Sequence, residues 1–139
     1  MCTSLQKVQN AAARMVVRKR KRDSVRKAIR ELHWLRVESR IIFKILLLVF
    51  KSIRGICSKN LKVDYKRHNC RPSDDWLLET TKVNTRYGKR TFDYAGPRLW
   101  NALPPEVRKE EGIDRYKKKV KTILFADTGK FLRQAFPYN

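Results

Sequence analysis

Cysteine is scarce in this chain and never paired at close range: Cys2, Cys57 and Cys70 are the only three, and no Cys-x-x-Cys occurs. Zinc fingers and knuckles need ligands in close pairs, so His33 and His68-Asn69-Cys70 beside these cysteines build no such site. We expect neither a metal nor a cofactor. Residues 1–30 are too charged to supply an apolar signal core. With an odd, widely spaced cysteine set, this predicts a reduced intracellular setting. The five glycines are scattered, which excludes a glycine-rich phosphate loop. No internal repeat is present. Long apolar runs are missing as well. Between Lys44 and Lys51 only Ile45 to Phe50 are apolar, whereas a membrane span needs about 20 such residues. We therefore expect no membrane partner. Acidic residues are the last scarcity: 13 Asp and Glu face 34 Lys and Arg, for a net charge of +21 over 139 residues. So large a charge on so short a chain repels itself, and a polyanionic partner explains it best.

The stretch that organises the rest is Glu38 to Gly55. Arg40, Lys44, Lys51 and Arg54 follow at steps of four, seven and three, which return to one side of a helix. Most other positions are Ile, Leu, Val or Phe, so other elements must cover this helix. Gly55 followed by Ile56 fits a glycine stop with an apolar residue beyond it. The four cations read either as a phosphate-facing stripe or as the solvated edge of a buried helix.

Ahead of it, Thr3-Ser4-Leu5-Gln6 has the form of a capping box. Leu5, Val8, Ala12 and Met15 then recur at steps of three and four, predicting an amphipathic helix with that side inward. Its end is marked by Arg14 and by Arg18-Lys19-Arg20-Lys21-Arg22. Cations suit a helix C-terminus, but five in a row exceed what the dipole needs, so phosphate contact or nuclear import is the preferred reading. Asp23-Ser24 restarts a helix with Val25, Ala28, Ile29 and Leu32 on its buried face. Trp34, flanked by leucines, reads as core, with base stacking as the alternative. His33 reads as a packed or hydrogen-bonded imidazole.

Beyond the central helix, residues 58–75 are polar and basic and predict a mobile loop. Leu77 to Val83 and Arg90 to Tyr94 have the form of two short strands joined through Tyr87-Gly88-Lys89. Pro97 suits the first turn of a short helix, with Leu99, Trp100 and Leu103 as its apolar anchor. Pro104-Pro105 ends that helix and starts another. A last helix follows the cap Asp114. Tyr116, Val120, Ile123 and Leu124 form its apolar face, and Lys117, Lys118, Lys119 and Lys121 a basic one. Gly129 is its expected stop, and Phe131 to Asn139 a tail.

Three segments together resemble one family. Leu5-Gln6-Lys7-Val8-Gln9-Asn10-Ala11-Ala12-Ala13-Arg14 is similar to a segment of non-LTR (LINE-type) retrotransposon polyproteins of the jockey and chicken-repeat groups, which lies C-terminal to the reverse transcriptase palm. Arg30 to Val37 through Arg40 to Leu48 resembles the next segment, with Arg36 where that family usually has proline. Tyr87 to Phe92 with Ala95 to Pro104 resembles the third, and Tyr116-Lys117 with Leu124-Phe125 matches the terminal helix. The match covers residues 4–126 in family order. It implies descent from an RNA-directed DNA polymerase that also carries an endonuclease, and a reverse transcriptase palm as a docking partner. It places no chemistry here. Leu124-Phe125-Ala126-Asp127-Thr128 has one Asp where a polymerase core has two, and such a core needs several carboxylates around two metal ions.

These readings combine into one expectation. The chain is a mainly α, single-domain protein around a long buried central helix, with room for a short β-hairpin. Its parts are a helical region over 1–57, the basic loop 58–75, the hairpin and closing helices over 76–126 and a tail over 127–139. It carries no catalytic residues and binds RNA or DNA through phosphate contacts, in a nuclear setting. The expected contact residues are Arg14, Arg18, Lys19, Arg20, Lys21, Arg22, Lys117, Lys118 and Lys121. A palm-docking module and a truncated transposon copy without its own function are the rival readings.

Overall fold

The structure is a computed structural model that describes residues 3–20, 22–57, 76–85 and 87–135. It is mainly helical, and no strand occurs among the described residues. The helices are α1 (Thr3–Val16), α2 (Val25–Glu31), α3 (Val37–Ile53), α4 (Phe92–Asn101), α5 (Pro105–Arg108) and α6 (Ile113–Ala135), with a 3-10 turn at Gly88–Arg90. The chain forms two compact units, Met1–Ile41 and Ile42–Asn139, and the division falls inside α3. The loop predicted over 58–75 lies outside the described residues.

In the first unit, α1 packs on α2 through Ala13, Ala28 and Ile29, and Val17, Val25, Leu32 and Trp34 close around them. Trp34 is thus half-buried against this core. Facing alanines let the two helices approach closely. Side-chain amides do the rest. Gln9, only 8 % exposed, donates from Nε2 to the Leu35 carbonyl at 2.8 Å. The Val37 N–H, first in α3, donates to Gln6 Oε1 at 3.0 Å. Gln6 Nε2 in turn donates to Gln9 Oε1 and Asn10 Oδ1. Gln6 therefore supplies an acceptor to a donor that α3 cannot satisfy internally. Gln6, expected to close a capping box with Thr3, instead bonds Val37, Gln9 and Asn10.

This arrangement reverses the expected orientation of α1. Gln9 and Ala13 face inward, while Leu5, Val8 and Met15 are exposed. Period alone favoured the apolar side, but a buried glutamine with both ends bonded and an alanine contact outcompete it.

Three helices end in the same way. The N–H of Lys19 donates to the Arg14 carbonyl, that of Trp34 to Ile29 and that of Ile56 to Lys51, each around a left-handed residue: Arg18 (φ 52°), His33 (φ 51°) and Gly55 (φ 68°). Only α3 uses glycine there, as the sequence predicted. Arg18 and His33 hold a conformation that side chains resist.

In the second unit, Leu46, Val49, Phe50, Leu99, Trp100, Tyr116, Val120 and Leu124 form the centre of the core. Phe50 and Tyr116 stack with centroids 4.2 Å apart, and Trp100 lies 6.0 Å from Tyr116. The Tyr116 hydroxyl donates to the Leu46 carbonyl at 3.2 Å, and burial pushes its pKa above the usual tyrosine range.

The predicted hairpin does not form. Leu78 has both backbone groups taken by one side chain: its N–H donates to Asn101 Oδ1 at 2.9 Å and its carbonyl accepts from Asn101 Nδ2 at 2.8 Å. Asn101 thus ties this segment to the end of α4. The second expected strand, Arg90 to Tyr94, is instead the end of the 3-10 turn and the start of α4. Thr91, extended at φ −69° and ψ 152°, precedes the helix, and Asp93 sits in its first turn, where the dipole favours a carboxylate. Tyr94, Leu99 and Trp100 then fall inward at helical spacing. As a result Pro97 lies inside α4 rather than in its first turn. It cannot donate to the Asp93 carbonyl, a cost that burial of the Pro97 ring and its neighbours offsets.

Pro105 opens α5 as expected. Asp114 lies in the first turn of α6 and pairs with Lys117 rather than capping the helix from outside. The helix also runs through Gly129, its expected stop, to Ala135. Phe131 and Ala135 are buried. Burying a phenylalanine contributes about 1.5–3 kcal/mol, more than the roughly 1 kcal/mol that a helical glycine costs.

Candidate nucleic-acid interface

The expected contact residues belong to two groups, one in each unit. In the first, Arg14 is half-buried on α1 and Arg18 is exposed at the helix end. Arg20 and Arg22 are exposed on the turn that joins α1 to α2. That turn is closed by Asp23, whose Oδ2 accepts the Arg20 N–H at 2.7 Å and whose own N–H donates to the Arg20 carbonyl at 3.0 Å. The sharp turn leaves both arginine side chains in solvent. Lys19 is different: its Nζ donates to Glu31 Oε1 at 2.7 Å across the ends of α1 and α2. Lys21 lies outside the described residues.

Sequence reasoning missed part of this surface. Arg26, Lys27 and Arg30 of α2 are all exposed. The signal was available, because a helix that buries Val25, Ala28, Ile29 and Leu32 must turn positions 26, 27 and 30 outward. Residues 1–41 hold twelve Lys and Arg against three acids, Asp23, Glu31 and Glu38. Asp23 and Glu31 are both engaged locally, so the cations of the turn and of α2 keep most of their charge uncompensated.

In the second unit the lysines of α6 divide. Lys117 pairs with Asp114 at 3.1 Å, and Lys119 with Glu110 at 2.7 Å. Arg115 adds a weaker contact to Glu110 at 4.0 Å. The Lys119 bond holds the Glu110 carboxyl below its ordinary value, against the opposing effect of desolvation. Lys118 and Lys121 are exposed, with no acid partner among the described residues.

The stripe on α3 also separates. Arg40 and Lys44 are exposed. Arg54 is structural: its guanidinium lies 4.5 Å over the Trp76 ring and 5.7 Å from that of Phe50, and it donates to the Glu110 carbonyl at 2.7 Å. Its role is to hold the end of α3 in the second unit.

No group of His, Cys, Asp and Glu able to hold a metal ion occurs among the described residues. Among them, too, no helix is long and apolar enough to cross a membrane. The geometry defines a small, mainly helical, strongly basic protein with a cationic turn and a cationic helix face. No protein-family model, no curated protein and no solved structure matches the chain.

Proposed function

We propose that this chain is a non-catalytic nucleic-acid-binding protein that holds RNA or DNA through phosphate contacts. The observation that carries the reading is the turn between α1 and α2, where Arg18, Arg20 and Arg22 are exposed, with Arg26, Lys27 and Arg30 on the adjoining helix. Lysine and arginine at such density release counterions when phosphates replace them, and this term is independent of sequence. No base-reading fingerprint accompanies the cations, so positioning on the backbone dominates over readout of bases. Lys118 and Lys121 on α6 give the second unit a smaller set of the same kind. A nuclear setting suits both the cluster and the partner.

The resemblance to the C-terminal region of non-LTR retrotransposon polyproteins supports the same reading, since those proteins act on RNA and DNA. Under it the polymerase and endonuclease chemistry belongs to other parts of the ancestral polyprotein and not to this chain.

The test is fluorescence anisotropy with a labelled structured RNA and a labelled duplex DNA at physiological salt. Binding to both, with little preference among sequences, is expected. Failure to bind either would overturn the proposal.

A further inference from the structure

Tyr87 is the most exposed of the large apolar side chains among the described residues, at 83 %. Tyr94 and Tyr116, the other described tyrosines, are buried. A lone exposed aromatic is ordinary by itself. This one differs in how it is held and in what surrounds it. It immediately precedes the 3-10 turn Gly88–Arg90, and every N–H of that turn is bonded. The Gly88 N–H donates to Thr85 Oγ1 at 3.1 Å, that of Lys89 to the Thr85 carbonyl at 3.2 Å and that of Arg90 to the Tyr87 carbonyl at 2.9 Å. The Thr91 hydroxyl closes the turn by donating to the Gly88 carbonyl at 2.7 Å. Gly88 permits a close approach here, since a Cβ on it would collide with Val83 Cγ1 and lie 2.8 Å from Thr85 Oγ1. Val83 and Thr85 thus brace the turn while the Tyr87 ring stays in solvent. Lys89 and Arg90 follow the ring directly and are exposed, as is Lys82 beside Val83. None of these three has a carboxylate partner among the described residues.

We infer that this turn is a stacking site for an unpaired base of single-stranded RNA or DNA. The base would lie on the Tyr87 ring, and Lys89 and Arg90 would meet the phosphates on either side of it. Every base has a π face, so the contact tolerates any sequence and agrees with a protein that has no base-reading fingerprint. In a duplex those faces are covered by neighbouring pairs, and freeing one carries an unstacking cost. The ring therefore favours single strands. A turn already fixed by its own hydrogen bonds loses little freedom when it engages a ligand. Cations without a ring would take any phosphate, and a ring without cations would be an ordinary surface tyrosine. Together they match a strand in which bases and phosphates alternate. The inference rests on the nucleic-acid reading, but it uses none of the arginines of the α1–α2 turn and adds a preference that those arginines do not explain.

The test is anisotropy on the full chain with labelled probes: oligothymidine of about twelve nucleotides, an abasic strand of the same length and a duplex. The wild type should bind oligothymidine more tightly than the abasic strand, which carries the same phosphates. Tyr87→Ala should weaken oligothymidine binding by about five- to a hundredfold, as loss of one stacked base does. It should leave the abasic strand and the duplex unchanged. Tyr87→Phe keeps the ring face and should bind as the wild type does. Lys89→Gln with Arg90→Gln should weaken oligothymidine and the abasic strand alike. Tyr87 is exposed, so the melting temperature of its variants should match that of the wild type. Equal wild-type affinity for the two strands, undiminished oligothymidine binding by Tyr87→Ala, or a loss in that variant that extends equally to the duplex would overturn the inference. With wild-type duplex binding intact, each of these outcomes leaves the nucleic-acid reading standing. Failure of the wild type to bind any of the probes would overturn both.

Discussion

The ammonium of Lys19 lies 2.7 Å from Glu31 Oε1 and ties the end of α1 to the end of α2. One cation of the five-residue basic run is therefore engaged internally, whereas Arg20 and Arg22 are exposed and have no carboxylate partner for their side chains among the described residues. Lys19→Gln should reduce the log-log salt slope of nucleic-acid binding by less than Arg22→Gln, for which the expected reduction is near one unit. The pair is partly exposed, so its removal should cost stability only about 0–1 kcal/mol. Equal slope reductions for the two variants would mean that the pair opens when nucleic acid binds.

Arg18 makes a separable prediction. It occupies a left-handed position that favours glycine, and it is also an expected phosphate contact. Arg18→Gly should stabilise the fold by up to about 1 kcal/mol, because the left-handed strain of roughly 1–2 kcal/mol disappears while glycine's added chain entropy returns part of it. The same substitution should weaken binding to RNA and DNA alike. Thermal denaturation and anisotropy on one preparation read both effects. A less stable protein with unchanged affinity would contradict both assignments.

Trp100 is 1 % exposed, and its Nε1 donates to the Trp76 carbonyl at 2.7 Å. Trp100→Ala should destabilise the second unit by about 3–5 kcal/mol. Trp100→Phe keeps most of the packing but removes the Nε1 donor to the Trp76 carbonyl, and should cost about 0.5–1.5 kcal/mol. Chemical denaturation measures both. An unchanged midpoint combined with abolished nucleic-acid affinity would move Trp100 from the core to the binding surface.

Glu110 gives the fold a dependence on acid. The Lys119 bond lowers its folded pKa below the ordinary value of 4.5. A carboxyl whose folded pKa is depressed contributes stability that is present above the unfolded value and is lost as pH falls through the folded one. Lys119→Gln should therefore lower the melting temperature at neutral pH. The gap from wild type should close as the pH drops below about 4.5. A gap of constant size across that range would show that the Lys119–Glu110 pair contributes nothing electrostatic.

Much of the helical scaffold was legible because it rests on local rules. The stop at Gly55, the proline start of α5 and the inward set Val25, Ala28, Ile29 and Leu32 follow from φ preferences and helical period. What escaped the sequence depends on contacts distant along the chain. Nothing local indicates that Gln6 serves the Val37 N–H or that Gln9 reaches the Leu35 carbonyl, and those two bonds decide which side of α1 faces inward. Asn101 bonds Leu78 from 23 residues away, and the second expected strand is taken up by the 3-10 turn and α4. The continuation of α6 past Gly129 likewise depends on where Phe131 finds cover. For the candidate interface, the exposed arginines were readable as a run of charge. The engagement of Lys19, Lys117 and Lys119 with carboxylates was not, because it depends on which acids the fold brings near.

The central claim is that the cationic turn between α1 and α2 contacts phosphates. The most direct test compares the wild-type chain with the triple variant Arg18→Ala, Arg20→Ala, Arg22→Ala in a salt titration of binding to duplex DNA and to structured RNA. If about six phosphates are neutralised, wild-type affinity should fall roughly a thousandfold between 50 and 200 mM salt. The triple variant should bind every sequence more weakly, with a log-log slope flatter by up to about three units, near one for each phosphate no longer neutralised. Identical slopes for the two proteins would contradict the account, because the turn would then lie away from the nucleic acid.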